Sequence, residues 1–271
     1  MSPLLSGPRL LVWLGLLLTL PLSASAACPE QATWPTKDWS TAALPAGREE
    51  ALKAFEEYAF ALVGKDEERK GYRTDGVVII HRGRLVYERY ARGWEASHRH
   101  LGWSMTKSVT NALTGLAVAQ GVLTVEDPIC KHVKATNEKA CAITVRNLLE
   151  FGSGLDWKEA YEGGPLQTSS VLAMLYGEGR RDTVAFITSH ALRDTPGTSW
   201  EYSSGDTTLL AGVVGAAMKP KLGDGWEWKL LFDPLGVRSA VLERDNRGVV
   251  VGSSLMHATP RDWAKLGFFF L

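Results

Sequence analysis

A chain of 271 residues is long enough to bury a substantial core, as one large domain or two smaller ones. Its content of 45% hydrophobic and 22% charged residues is that of a globular protein and excludes a largely disordered one. Thirty basic residues balance thirty acidic ones, which removes any global electrostatic case for nucleic acid or an anionic membrane as partner.

The chain opens with a leader. Arg9 is the lone positive charge, Leu10 to Leu20 is apolar, Pro21 breaks the run, and Ala24-Ser25-Ala26 offers the small side chains that a signal peptidase needs. The pattern predicts a signal peptide over residues 1–26 and a periplasmic or secreted mature protein. The apolar run is too short to span a bilayer comfortably, so no transmembrane anchor is expected. A lipoprotein cut before Cys28 is the alternative and would leave a lipid anchor there, although Ser25 stands where such signals carry Leu.

Residues 27–46 are polar, with Trp34-Pro35 and Pro45, and read as an extended arm ahead of a domain covering 47–271. Arg48 to Val63 places Ala51, Leu52, Phe55, Tyr58, Ala59 and Leu62 at helical spacing. Gly76 to Tyr90 changes to a β-hairpin around His81-Arg82-Gly83-Arg84. A helix is predicted over Ser104 to Gln120, with Gly121 as its stop. Cys130 and Cys141 flank a polar loop. In an oxidising compartment they predict a local disulfide, against a zinc site that would enlist His132. Further helices are expected over Ile143 to Phe151, Ser169 to Tyr176, Asp182 to Leu192 and Thr207 to Met218, the last buried all round. Ten Trp residues suit either an aromatic-lined groove or the core.

This order predicts an α+β fold, an antiparallel sheet flanked by helices plus a mainly helical subdomain. One hairpin makes a poor sheet by itself, so strands are missing from the reading.

Ser104 stands at the start of a long helix with Lys107 three residues on, so the two share a helix face. A helix N-cap is the bland role for such a serine. As a nucleophile it needs a base, which a lysine supplies where burial and positive neighbours favour the free amine. The helix N-terminus also offers free N–H groups to an oxyanion. Tyr202, in Trp200-Glu201-Tyr202-Ser203-Ser204, is either a core residue or a proton shuttle between Ser104 and the leaving group. Ser204 could hydrogen-bond the lysine or the substrate. His190 and His257 are the candidates for a serine–histidine arrangement, but no Gly-x-Ser-x-Gly elbow and no His-Glu-x-x-His cluster is present.

These segments together resemble the serine β-lactamase and penicillin-binding-protein superfamily, in particular its class C-like branch of DD-peptidases, carboxylesterases and 6-aminohexanoate-dimer hydrolases. The resemblance rests on His81 to Tyr90, Trp103-Ser104-Met105-Thr106-Lys107-Ser108, Ile143 to Leu149, Gly152-Ser153-Gly154-Leu155, Pro196-Gly197, Tyr202-Ser203-Ser204 and Ala258 to Gly267. It implies Ser104, Lys107 and Tyr202 as nucleophile, lysine and tyrosine of a covalent acyl-enzyme mechanism without metal or organic cofactor, acting on a small ester, amide, peptide or β-lactam. Two departures accompany it. Ser204 stands where many relatives carry Asn, which favours the esterase and amide-hydrolase branch. The third motif, Lys-Thr-Gly or His-x-Gly on a late strand, is not found before Leu271, so the resemblance implies a domain whose late strands are missing. A non-catalytic relative that binds a cell-envelope partner, or an inactive truncated product, are the alternative readings.

Overall fold

Residues 34–162, 164, 165 and 168–271 are described by a computed structural model. The predicted leader over 1–26 and Cys28 lie outside the described residues. No described helix is long and apolar enough to cross a membrane.

The frame is built around one helix with no solvent face over its first three turns. In α6 (Ser204–Leu222) every residue from Ser204 to Val214 is buried, so the helix must be covered on all sides. Its neighbour α2 (Thr106–Ala119) turns Val109, Thr110, Leu113 and Ala117 inward and leaves Ser108, Asn111 and Gly115 outside, the 3.6-residue alternation of a one-faced helix. Around this pair stand α3 (Val145–Leu149), α4 (Ser170–Tyr176) and α5 (Thr183–Thr188). A π-helical turn (Trp228–Phe232) continues into α7 (Asp233–Leu235) and seats Leu231 and Phe232 in the same core.

Helix starts follow local chemistry closely. Thr144 and Asn147 form a reciprocal capping box at α3, while Ser169, Asp182 and Ser203 cap α4, α5 and α6. Helix ends follow packing instead. The predicted 48–63 helix is α1 (Glu49–Ala59), whose only buried residue is Ala59, too little to hold a further turn. The predicted 182–192 helix stops at Thr188, and Leu192 leaves to bridge Leu155. The predicted 207–218 helix is longer at both ends.

Strands β1 (Gly76–His81) and β2 (Arg84–Tyr90) form the expected antiparallel hairpin, turning at Arg82 and Gly83, both with positive φ. The arm makes a single parallel bridge from Thr41 to Leu85. Trp39, Leu85 and Phe268 then pack together, joining arm and hairpin to α8 (Pro260–Phe269). The arm also passes so close to Gly236 that a Cβ there would lie 1.7 Å from the Thr36 carbonyl oxygen.

A second antiparallel sheet escapes the sequence reading. It contains β3 (His100–Leu101), β4 (Val241–Leu242) and β5 (Met256–Ala258) in the order β3-β5-β4. Strands of two or three residues carry no readable alternation. The two small sheets with their helices make the protein α+β, as predicted.

Cys130 and Cys141 are joined in a disulfide, with Cα atoms 5.1 Å apart, which overturns the zinc alternative. His132 instead lies 3.0 Å from Asp127, whose carboxyl Lys131 and His132 hold well below the usual carboxylate range. The bridge closes a short loop, with residues 11 apart in sequence. Replacing both cysteines by alanine is expected to lower unfolding free energy by about 2–3 kcal/mol in urea denaturation. An unchanged midpoint and slope would show that the link constrains nothing.

Candidate active site

The second sheet delivers Ser104. From β3 the chain passes Gly102, whose N–H donates to the Met256 carbonyl at 2.8 Å. A Cβ on Gly102 would stand 2.4 Å from the Trp263 ring, so only glycine lets the chain turn here. Trp103 follows with a φ of 44°, a left-handed conformation uncommon for a bulky residue. The 3₁₀ turn Trp103–Met105 then runs into α2. Neither this turn nor α2 has a side-chain cap, so Ser104 is not the N-cap that its position allows. Among the described residues no acceptor takes the Ser104 N–H, one of the terminal donors of the turn.

Lys107 lies one turn on, its side chain half-buried between three segments. Its Nζ donates to Ser104 Oγ at 3.3 Å, to Ser204 Oγ at 3.0 Å and to the Ser253 carbonyl at 3.0 Å. Three acceptors match the three donors of an ammonium group. The Ser253 carbonyl is held in place by the same helix face. Thr110 Oγ1 donates to the Gly252 carbonyl at 2.8 Å, and the Met256 N–H donates to Thr106 Oγ1 at 3.3 Å.

Tyr202 reaches the same serine from the loop before α6. Its hydroxyl donates to Ser104 Oγ at 2.8 Å, and Lys107 Nζ stands 4.8 Å from its ring centroid. Phe151, at 5.2 Å between centroids, backs the ring. The loop is pinned by the Glu201 N–H on the Phe151 carbonyl and by the Gly197 N–H on that of Gly152. The structure therefore brings Ser104, Lys107, Tyr202 and Ser204 together in one hydrogen-bonded cluster.

The histidines do not join it. His190 bonds the Phe186 carbonyl and Ser170 Oγ, both at 3.0 Å, and packs on Trp157. His257 pairs with Glu243 at 3.4 Å. Trp39, Trp157 and Trp226 are core residues, whereas Trp103 and Trp200 are exposed and stand within two residues of Ser104 and Tyr202 in sequence.

Sequence reasoning missed Glu159. Its Oε1 accepts from Ser204 Oγ at 2.6 Å and Tyr161 Oη at 2.6 Å; its Oε2 accepts from Trp157 Nε1 at 2.6 Å and the Ser204 N–H at 2.9 Å. Trp157-x-Glu159-x-Tyr161 is a local signal of alternate residues on one side of an extended segment. It points to a shared carboxylate only once Ser204 is known to lie opposite. Ser253 leaves no signal, because its carbonyl makes the contact.

The α+β frame with this cluster at the mouth of a buried helix pair is the β-lactamase/transpeptidase-like fold. The beta-lactamase family profile matches residues 59–268, and the chain belongs to that family. The family read from the Ser-Met-Thr-Lys segment and its companions is thus the right one. A 6-aminohexanoate-dimer hydrolase of Paenarthrobacter ureafaciens is 24% identical over 245 residues, covering 87% of this chain and 60% of the relative. A Bacillus anthracis structure provisionally named a 6-aminohexanoate-dimer hydrolase superposes with a TM-score of 0.64 at 18% identity, over 87% of this chain and 63% of that one. The β-lactamase/D-alanine carboxypeptidase of Yersinia pestis does so with a TM-score of 0.52 at 20% identity, over 69% and 60%. The chain spans less than two thirds of the length of each of these proteins. At such identities the structures establish the fold alone.

Beneath the cluster, Asp206 fixes the start of α6 to the Gly152–Gly154 loop. Ser153 Oγ and Ser203 Oγ each donate to its Oδ1 at 2.8 Å. Burial nevertheless outweighs these bonds and pushes the carboxyl up to about 6. A carboxyl raised on folding binds more protons folded than unfolded between its two values. Its stabilising contribution is therefore complete below about pH 4 and lost as pH rises through about 6. Asp206→Asn is expected to remove that decline, which two pK units put at about 3 kcal/mol. Urea unfolding of both proteins from pH 4 to 7 checks it, and parallel profiles would contradict it.

Proposed function

We propose that this chain is the nucleophile-bearing part of an exported serine hydrolase that cleaves a small amide, peptide, ester or β-lactam through a covalent acyl-Ser104 intermediate. The observation that carries the reading is the convergence of Tyr202 Oη at 2.8 Å and Lys107 Nζ at 3.3 Å on the Ser104 hydroxyl oxygen. Of the two, Tyr202 is closer, and the lysine already spends its three donors. With Tyr202 as phenolate, the 2.8 Å contact carries the Ser104 proton to it as Oγ bonds to the substrate carbonyl carbon. Lys107 holds its positive charge beside both oxygens throughout. Collapse of the tetrahedral intermediate breaks the bond to the leaving amine or alcohol, which takes the proton from Tyr202. Water then releases the acid by the same route in reverse. The Ser104 N–H, which no described acceptor takes, would serve as an oxyanion donor.

An amide or peptide bond is the favoured substrate. The names of the Paenarthrobacter and Yersinia relatives support that choice, while Ser204, standing where many relatives carry Asn, fits the esterase and amide-hydrolase branch. Export is supported by the apolar leader in the sequence and by the Cys130–Cys141 bridge, which suits an oxidising compartment.

A fluorophosphonate probe tests the site directly. Peptide mapping is expected to place one adduct on Ser104, and Ser104→Ala is expected to carry none. Tyr202→Phe should slow labelling by about 10²- to 10⁴-fold, the span ascribed to general acid–base groups. A folded chain that takes no adduct at Ser104 would sink the proposal.

A further inference from the structure

Glu159 is the nearest carboxylate to the cluster, and its partners determine what it can do. A carboxylate offers about four acceptor positions, and all four are taken: Ser204 Oγ, the Ser204 N–H, Trp157 Nε1 and Tyr161 Oη, at 2.6–2.9 Å. Trp157 Nε1 and the Ser204 N–H can only donate. Tyr161 also stays a donor, since burial and then the neighbouring carboxylate push its phenol well above its ordinary value. No position is left for an attacking water, so this carboxylate is unsuited to be a general base for deacylation.

Its bond to Ser204 has a different consequence. A serine hydroxyl has one proton, and here it points at Glu159. Ser204 Oγ can then only accept from its other neighbour, Lys107 Nζ at 3.0 Å. Were the Ser204 proton free to rotate, it could turn towards the ammonium and cost Lys107 one of its three acceptors.

We propose that Glu159 is a positioning residue for acylation, orienting the Ser204 hydroxyl so that it holds the Lys107 ammonium beside Ser104 and Tyr202. The inference rests on the acyl-transfer reading above and adds a residue that touches neither substrate nor nucleophile. Glu159→Gln is the informative change, because it preserves shape but presents an N–H₂ to a ring of donors. If the N–H₂ faces the Trp157 and Ser204 N–H groups, those two bonds are lost; if it faces the Ser204 and Tyr161 hydroxyls, it donates to them and the Ser204 proton is no longer directed at position 159.

The test is the kinetics of Ser104 labelling by the fluorophosphonate, which reports acylation and needs no deacylation. For Glu159→Gln, the maximal labelling rate is expected to fall about ten- to a hundredfold, the probe's half-saturating concentration changing less than about twofold. Ser204→Ala should fall by a similar factor, and the Glu159→Gln/Ser204→Ala double variant no further than Ser204→Ala alone. Tyr161→Phe removes another donor from the same carboxylate and should stay within about threefold of the parent, whereas a carboxylate that merely staples its loop would feel both changes. Should Glu159→Gln lose its cooperative unfolding transition, Ser204→Ala and Tyr161→Phe carry the comparison, and the reverse order of effects overturns the proposal. So does an unchanged labelling rate in folded Glu159→Gln, or a double variant whose losses multiply. A parent chain that is never labelled overturns the acyl-transfer reading itself, and this inference with it.

Discussion

A lysine ammonium inside a protein must find acceptors for all three of its protons, and the arrangement around Lys107 can be understood from that demand. The three acceptors come from segments far apart in the chain: the 3₁₀ turn before α2, the first residue of α6, and the loop ahead of β5. Each must arrive with its oxygen correctly aimed. The capped start of α6, the Gly152–Gly154 loop and the short β3–β5 ladder are the devices that bring them there. The buried α2–α6 pair is the floor on which they meet.

Polar side chains beneath the cluster do different kinds of work. Asp206 ties loop to helix at a cost, because its hydrogen bonds do not fully replace the water it loses. Glu159 is better satisfied, with four donors for four acceptor positions, and one of those donors is the hydroxyl that accepts from Lys107. One carboxylate holds the frame and the other directs a single proton. The first belongs to the stretch Ser203-Ser204-Gly205-Asp206, and the second binds that stretch at Ser204.

How much of this was legible in the sequence depends on the range of the forces involved. Caps and helical periodicity act within a turn or two, so α2, α3, α4 and the hairpin were read close to their true bounds. The pairing of Ser104 with Lys107 was also local. Tyr202 and Ser204 were candidates from their own loop, but it was resemblance to a family that tied them to the serine, since 98 and 97 residues separate them from their partners Ser104 and Lys107. Strands β3, β4 and β5 were invisible because each is too short for an alternating pattern, although β3 and β5 set the direction in which the nucleophile points. Glu159 was missed for the converse reason: its own segment is ordinary, and its meaning lies in what packs against it.

The hold of Lys107 on Ser253 is made to the main chain, and this shifts where selection can act. No side chain at position 253 is needed to supply that oxygen, so any residue small enough for the buried space would preserve the contact. The position before it has no such latitude. A Cβ on Gly252 would meet Thr110 Oγ1 at 2.5 Å and the Ala211 Cβ at 2.6 Å, pressing α2 and α6 apart around the loop that carries the carbonyl. In a set of homologues, the invariant column marking this interaction would then be the glycine, which never touches the lysine, while the residue that does touch it could drift.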